Sequence, residues 1–424
     1  MNRKYLVLII VTFVVFFKNS FSQSDTISFN LLLQGLEQNY KLKDNALNTD
    51  SVFKIRKEIN NISYLPQLNL ISQATYQSDV TQLPVTIPNI NIPMLDKDQY
   101  KVALEVNQLI YDGSITKIKN KRDAVAAELE AVQSKINLTN LKDILNKWVY
   151  LYLINNKIKE QLEIQKSTLV EKQREIEQLI NNGLATASDL DILKVEVLKI
   201  EQQIDAIDNT CQSIAANIEI ITTFRINGKI LTYENENFVI SDTINRVELI
   251  MYEKKKNITF LNAELVNQLR LPQLFAFGQT GYGKPGLNML TDEFDTYYLV
   301  GVKMVWNIYD WNKSFKEKKI AAINQKSIDN ECELFKQNIK IQANELIASI
   351  QKTERLIEKD YKIIELRDNI LKSTSAKLIN GTAKTSDYIN DLNFKTQVLI
   401  DLEKHKIEKQ YYIQSYKILM GLKY

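Results

Sequence analysis

Glycine and proline are scarce in this chain of 424 residues, at 11 and 6 respectively. Neither occurs from Ser114 to Asn182, from Leu184 to Asn227, from Asn312 to Asn380 or from Thr382 to Met420. Chains that exclude both breakers over such lengths, and are rich in Lys, Glu, Leu, Ile and Gln, form long helices. Histidine is rarer still: His405 stands alone, which rules out His-rich metal sites and leaves any His-based triad resting on one residue in a charged helix. The two cysteines, Cys211 and Cys332, are too few for a disulfide framework and read as separate small apolar residues. An excess of one charge is also missing. Of 54 basic residues, Arg3, Lys4 and Lys18 lie in the first eighteen positions, and the remaining 51 face 51 acidic ones. A neutral, interspersed surface offers no electrostatic reason to bind nucleic acid. The basic runs Lys254–Lys256 and Lys316–Lys319 are solvated helix faces.

No apolar run reaches the ~20 residues of a membrane-spanning helix. The apolar stretch Tyr5–Phe17 follows Arg3 and Lys4 and precedes Ser20-Phe21-Ser22, which is the order of an export signal cleaved after Ser22. No cysteine lies near that point to carry a lipid anchor.

The chain is written twice. Leu65-Pro66-Gln67-Leu68 recurs as Leu271-Pro272-Gln273-Leu274, and Ile110-Tyr111-Asp112 as Ile308-Tyr309-Asp310. Asn182-Gly183-Leu184-Ala185 with Ser188-Asp189 recurs as Asn380-Gly381-Thr382-Ala383 with Ser386-Asp387. The last two matches share an offset of 198 positions; the first is eight longer, which places an insertion in the Pro-rich stretch Leu83–Leu95. Matches kept in order mark a duplication. The organisation expected is an export signal at 1–22, a first repeat at 23–225, a connector at 226–240 and a second repeat at 241–424. Each repeat reads as a helix, two strands, a very long helix, a glycine turn and another long helix. The spans are Ser28–Ser63, Gln67–Gln77, Gln99–Tyr111, Ser114–Asn181 and Ala187–Phe224, then Asp242–Arg270, Gln273–Tyr282, Thr296–Tyr309, Lys313–Ile379 and Ser386–Leu419.

The strands alternate with period two, which puts successive side chains on opposite faces. Tyr100, Val102, Leu104, Val106 and Ile110 oppose Lys101, Glu105 and Asn107. Tyr298, Val300, Val302, Met304, Trp306 and Ile308 oppose Gly301, Lys303 and Asn307. Lengths of about ten residues suit a tilted strand crossing a bilayer, and aromatics collect at the strand ends: Tyr297, Tyr298, Trp306, Tyr309 and Trp311. Four strands close no barrel, for which about eight is the practical minimum. Because an open edge is not tolerated in lipid, a membrane reading requires several protomers to share one barrel.

The helix Ser114–Asn181 would run about 100 Å. Leu162, Leu169 and Ile176 recur every seven residues, as do Ile350, Ile357, Ile364, Leu371 and Leu378; Leu356, Ile363 and Ile370 form a second stripe. A seven-residue period means left-handed coiled-coil packing, and a double stripe suits a helix with neighbours on two sides.

On the Leu-Pro-x-Leu strand entries, the Tyr-Asp turns and the tip turns Asn182-Gly183-Leu184 and Asn380-Gly381-Thr382, each with an Asp six residues past its Gly, the chain resembles the TolC-like outer-membrane efflux protein family. The resemblance covers essentially the whole length after residue 22. It implies a mixed α+β membrane protein: a homotrimer in which each protomer gives four transmembrane strands to a twelve-stranded barrel, with helices continuing as a tunnel through the periplasm. It implies a passive exit duct with no cofactor, supplied by an inner-membrane pump through a periplasmic adaptor. Carried over, Gly183, Leu184, Gly381 and Thr382 dock the adaptor, and Asp189, Asp387 and Asn390 constrict the periplasmic end. Here the sequence departs from the family pattern: an Arg expected to partner the gate is Ala383, followed by Lys384, and a second ring position is Asn390, followed by Asp391. The residues alone also admit that each Gly closes its helix in the left-handed conformation and that both Asp are helix N-terminal charges.

An enzyme has little to rest on. Gly278-x-x-Gly281-x-Gly283 is followed by Pro285 and Gly286, not by the helix a phosphate loop needs. The competing reading is an exported coiled-coil structural or adhesion protein, for which the lipid-length hairpins would have no use. Cargo is not written in the sequence.

Overall fold

The computed structural model describes residues 26–38, 40–81, 94–226, 229–233 and 238–422. The expected export signal and most of the Pro-rich stretch Leu83–Leu95 lie outside these. In chain order the elements are β1 Thr26–Ser28, α1 Phe29–Glu37, α2 Tyr40–Ile62, β2 Gln67–Tyr76, β3 Asp98–Tyr111, α3 Ile115–Asn181, α4 Ala187–Thr222, β4 Ile230–Thr232, α5 Val247–Gln268, β5 Gln273–Lys284, β6 Asp295–Val305, α6 Lys313–Ile379 and α7 Thr385–Met420. The equivalent long helices of the two halves match in length: α3 and α6 have 67 residues each, α4 and α7 have 36.

Two compact units divide the chain, and each takes segments from both sequence repeats. One contains the chain up to Lys43, Lys135–Arg246 and the chain from Phe335 onward; the other contains Asp44–Ser134 and Val247–Leu334.

The second unit holds a four-stranded antiparallel sheet ordered β2-β3-β5-β6, so β2 and β6 are open edges. Residues directly opposite in an antiparallel pair share a face, and the register therefore sorts the side chains. Leu70 opposes Leu104, Leu68 opposes Val106, Tyr282 opposes Val102, and Tyr298 opposes Thr280. Val300, Val302 and Met304 continue that face, which is apolar yet exposed: Tyr298 is 77% and Val300 72% accessible. The reverse face is polar. Asn69 opposes Glu105, Gln73 opposes Lys101, and Glu105 opposes Gln279. There the Lys101 ammonium donates to Gln279 Oε1 at 3.4 Å and lies 5.4 Å from the centre of the Tyr297 ring.

The alternation fails at Ile110, where a bulge between Leu109 and Tyr111 breaks the β3–β5 register. The last strand also stops at Val305, short of the expected Tyr309. Trp311 and Asn312 adopt φ of 52° and 61°, a turn that no straight strand can enter directly. The equivalent turn in the first half is Gly113 and Ser114, at 69° and 67°. Each turn delivers the chain to a carboxylate cap: Asp112 Oδ2 accepts the Thr116 N–H at 2.6 Å, and Asp310 Oδ2 accepts the Ser314 N–H at 3.0 Å. Gly278 to Gly283 lie inside β5, with no helix after them.

The second unit also holds α5 and most of α2; the first unit contains β1, α1, α4, β4 and α7, with the parts of α3 from Lys135 and of α6 from Phe335. The expected helix Ser28–Ser63 is interrupted, α1 ending before Gln38, whose N–H is shared by Gln34 and Gly35 carbonyls. The reason is composition. Phe29, Leu32, Leu33 and Leu36 are buried with Leu145, Val149, Ala215 and Ile218, whereas Val52 and Ile55 on α2 are half exposed. The connector does have structure of its own: β4 pairs in parallel with β1. Cys211 is buried in this cluster and Cys332 is partly exposed; both are free. His405 donates from Nδ1 to Asp360 Oδ2 at 2.6 Å, joining α7 to α6. No helix among the described residues is long and apolar enough to cross a membrane.

Candidate functional site: the hairpin tips

The end of the first unit is built around Leu162, Leu169 and Ile176 of α3, Leu193 and Ile200 of α4, Leu378 of α6, and Tyr388, Ile389 and Leu392 of α7. The heptad positions are thus the core of a four-helix packing, as a seven-residue period requires. The second stripe behaves differently, with Ile363 and Ile370 exposed at 41% and 43%.

Both helices that reach the tips end in the same way. Gly183 (φ 74°) donates its N–H to Ile180 at 2.9 Å while the Leu184 N–H reaches Leu179 at 2.8 Å; Gly381 (φ 71°) and Thr382 repeat this to Leu378 and Lys377 at 3.0 and 2.9 Å. These paired bonds satisfy the last carbonyls and demand a left-handed residue, which Gly provides without strain. Nothing lies within 4 Å of where a side chain would begin at either Gly. Gly183, Leu184, Gly381 and Thr382 are all exposed.

The helices that leave the tips start on the two aspartates. Asp189 Oδ2 accepts the Thr186 N–H and O–H at 3.0 and 2.7 Å, and Asp387 Oδ2 accepts the Lys384 N–H at 3.1 Å. The helix-terminal reading therefore holds for both. Asp189 has a second role. Its Oδ1 accepts the Thr385 hydroxyl at 2.9 Å, tying one tip to the other across 196 positions of sequence. Thr385 is 1% exposed. The hydroxyl and N–H of Thr186, then Thr385, hold the Asp189 carboxyl below the ordinary carboxylate range despite some desolvation. Asp387 and Asn390 are exposed and stand outside this link, while neighbouring Asp391 accepts from Thr374 at 2.6 Å.

Sequence reasoning missed three of the residues that bind the hairpins together. Thr385 is one. Lys172 is another: buried in α3, it bonds Glu175 at 2.6 Å and Ser375 at 3.1 Å, and sits 4.8 Å from the Tyr388 ring centre. Burial, followed by the charges of Glu175 and Glu171, pushes the Tyr388 hydroxyl up to about 12. Further along, Asn393 receives Gln165 and donates to Glu196 Oε1 at 2.9 Å, joining α3, α4 and α7. No short motif flags such contacts, which depend on which faces of distant helices meet.

No family model matches the chain, and no curated protein matches its sequence. Solved structures do match. The outer membrane protein VceC from Vibrio cholerae aligns at 11% identity over 93% of this chain and 96% of its own, with a TM-score of 0.65. The Campylobacter jejuni CmeC outer membrane channel aligns at 12% over 92% of this chain and 85% of its own, TM-score 0.64. The Neisseria gonorrhoeae MtrE outer membrane channel aligns at 11% over 93% and 88%, TM-score 0.64. The chain has the TolC-like fold of these channels.

Proposed function

We propose, taking that shared fold as the premise, that the protein is the outer-membrane exit channel of a tripartite efflux or secretion system. It passively conducts substrates that an inner-membrane pump hands over through a periplasmic adaptor. The observation that carries the reading is the sheet: one face apolar and exposed, the other polar, with open edges at β2 and β6. Such a sheet is stable in lipid only when its edges are paired, and β6 of one copy against β2 of the next closes it. Three copies supply the twelve strands of a closed barrel, the polar face lining its lumen. The exposed Ile363 and Ile370 stripe on α6 supports the same association, giving each copy an apolar seam for a neighbour. The test is direct. Detergent-extracted protein should run as a heat-modifiable oligomer and conduct in planar bilayers; protein that is soluble without detergent and silent in bilayers would sink the reading.

In this arrangement the exposed tip turns at Gly183, Leu184, Gly381 and Thr382 dock the adaptor, and Asp189, Asp387 and Asn390 form the periplasmic constriction. Thr385 takes the place of the Arg that Ala383 lacks, as the neutral partner of Asp189. Thr385→Val removes the donor while keeping the shape, so it should raise resting conductance; a conductance unchanged from the parent removes this contact from the gate. The link also predicts a pH window. A carboxyl held below its ordinary value of ~3.9 keeps its interactions at neutral pH and loses them only as pH falls through that lowered value. Resting conductance should therefore stay flat from neutral to mildly acidic pH and climb only in strong acid. Separately, Asp387→Ala should weaken block by divalent cations added on the tip side, with Asn390→Ala having a smaller effect. An unaltered block in Asp387→Ala would exclude it from the constriction.

A further inference from the structure

The loop between β5 and β6 folds onto the face that the proposed function assigns to lipid. Phe294 stacks on Tyr282 with ring centres 5.4 Å apart and planes 19° apart, and on Tyr100 at 6.4 Å and 26°. Both tyrosines belong to the apolar face by register: Tyr282 opposes Val102, and Tyr100 lies two residues before it on the same strand. Ahead of Phe294 the loop presents Leu287, Met289 and Leu290, each more than half exposed. Its course is ordered. Leu290 N–H and the Thr291 hydroxyl bond to Asn288, at 3.1 and 3.2 Å. Lys284, at the end of β5, pairs with Asp96 and, at 3.3 Å, with Asp292, while the Asp96 N–H donates to Asp292 at 3.0 Å.

We infer that residues 286–294 form an interfacial anchor that lies on the membrane surface around the barrel mouth, not a lid over its opening. The occupant is lipid because the patch is continuous with the apolar face. Phe294 leans inward over β5 and β3, not past the β6 edge where a second copy would pair. Aliphatic and aromatic side chains beside a charged cluster in which one lysine pairs with two aspartates match the polarity step at headgroup level, where aromatic belts collect. An anchor so placed fixes the barrel's depth and leaves the mouth open for cargo.

The inference rests on the membrane reading of the sheet, and the experiment separates the two. The full chain is reconstituted into phosphatidylcholine vesicles whose acyl chains carry bromine either near the headgroup or deep in the bilayer. Single variants Leu290→Trp, Met289→Trp and, as the sheet control, Val300→Trp are read as the emission added over the parent, counting only heat-modifiable oligomer. The loop variants should lose about half of their added emission to shallow bromine, as a side chain at headgroup depth would, and little to aqueous iodide. Val300→Trp should be quenched by deep bromine. If Val300→Trp is quenched while both loop variants respond only to iodide, the anchor is overturned and the membrane reading stands. If Val300→Trp escapes both bromolipids, the membrane reading fails and the anchor with it. Two loop positions keep the test alive should one variant fail to assemble.

Discussion

Val300→Arg is expected to eliminate the inserted oligomer, whereas Asn69→Arg, at the neighbouring level of the sheet, should leave it intact. Val300 is the sixth of the eleven residues of β6, on the apolar face and 72% exposed. An arginine there would sit near mid-bilayer, at a cost of about 2–4 kcal/mol. In a barrel shared by three copies that cost is borne once per copy, against a net stability for ordinary domains of only about 5–15 kcal/mol. Asn69 carries the same substitution on the opposite face, directly across from Glu105, where a new cation meets water and a carboxylate. The measurement is the heat-modifiable band in outer-membrane fractions from cells making each variant. Equal recovery of the two would show that the faces are not distinguished by lipid and would undo the barrel reading. A soluble coiled-coil protein predicts that equality, since Val300 would already be in water.

Much of this architecture is legible in the sequence because it repeats. The offset of 198 positions carries over to backbone detail: Gly113 and Ser114 with Trp311 and Asn312, Gly183 with Gly381, and Asp189 with Asp387 occupy matching conformations or bonds. The heptads announce the buried Leu162, Leu169 and Ile176, since burial on one helix stripe is the physical origin of the period. Lys313–Ile379 has the bounds its lack of glycine and proline implies. What could not be read falls into two classes. Breaks with no breaker residue are one: α1 ends before Gln38, where the buried Phe29–Leu36 face gives out, and β6 stops at Val305 ahead of the left-handed turn at Trp311 and Asn312. Contacts across long sequence distances, such as Asp189 with Thr385 or Lys172 with Tyr388, join residues that are ordinary in their own helices. The parallel β1–β4 pair is of this kind too, two three-residue strands far below the length at which alternation can be seen.

Gly183→Pro and Gly381→Pro are expected to leave the oligomer inserted and conducting while abolishing capture of a periplasmic adaptor by crosslinks placed at the tips. Two causes add up at each position. Proline is confined to φ near −65°, whereas these residues sit at 74° and 71°. Proline also has no N–H, so the bonds from Gly183 to Ile180 and from Gly381 to Leu378 are lost, leaving carbonyls that the turn exists to satisfy. A cost on the order of 3 kcal/mol is concentrated on turns that bury nothing, so it unwinds the tip rather than the strands, which belong to the other compact unit. Gly381→Asn separates shape from residue identity. Asn tolerates the left-handed region, and no atom lies within 4 Å of the new side chain's origin, so the turn persists and capture should survive if turn geometry is what the adaptor reads. Capture lost in Gly381→Asn as well would mean that the adaptor needs the bare backbone at that point. Capture retained in both proline variants would remove the tips from docking altogether and move the search for the adaptor surface to the exposed flanks of α4 and α6.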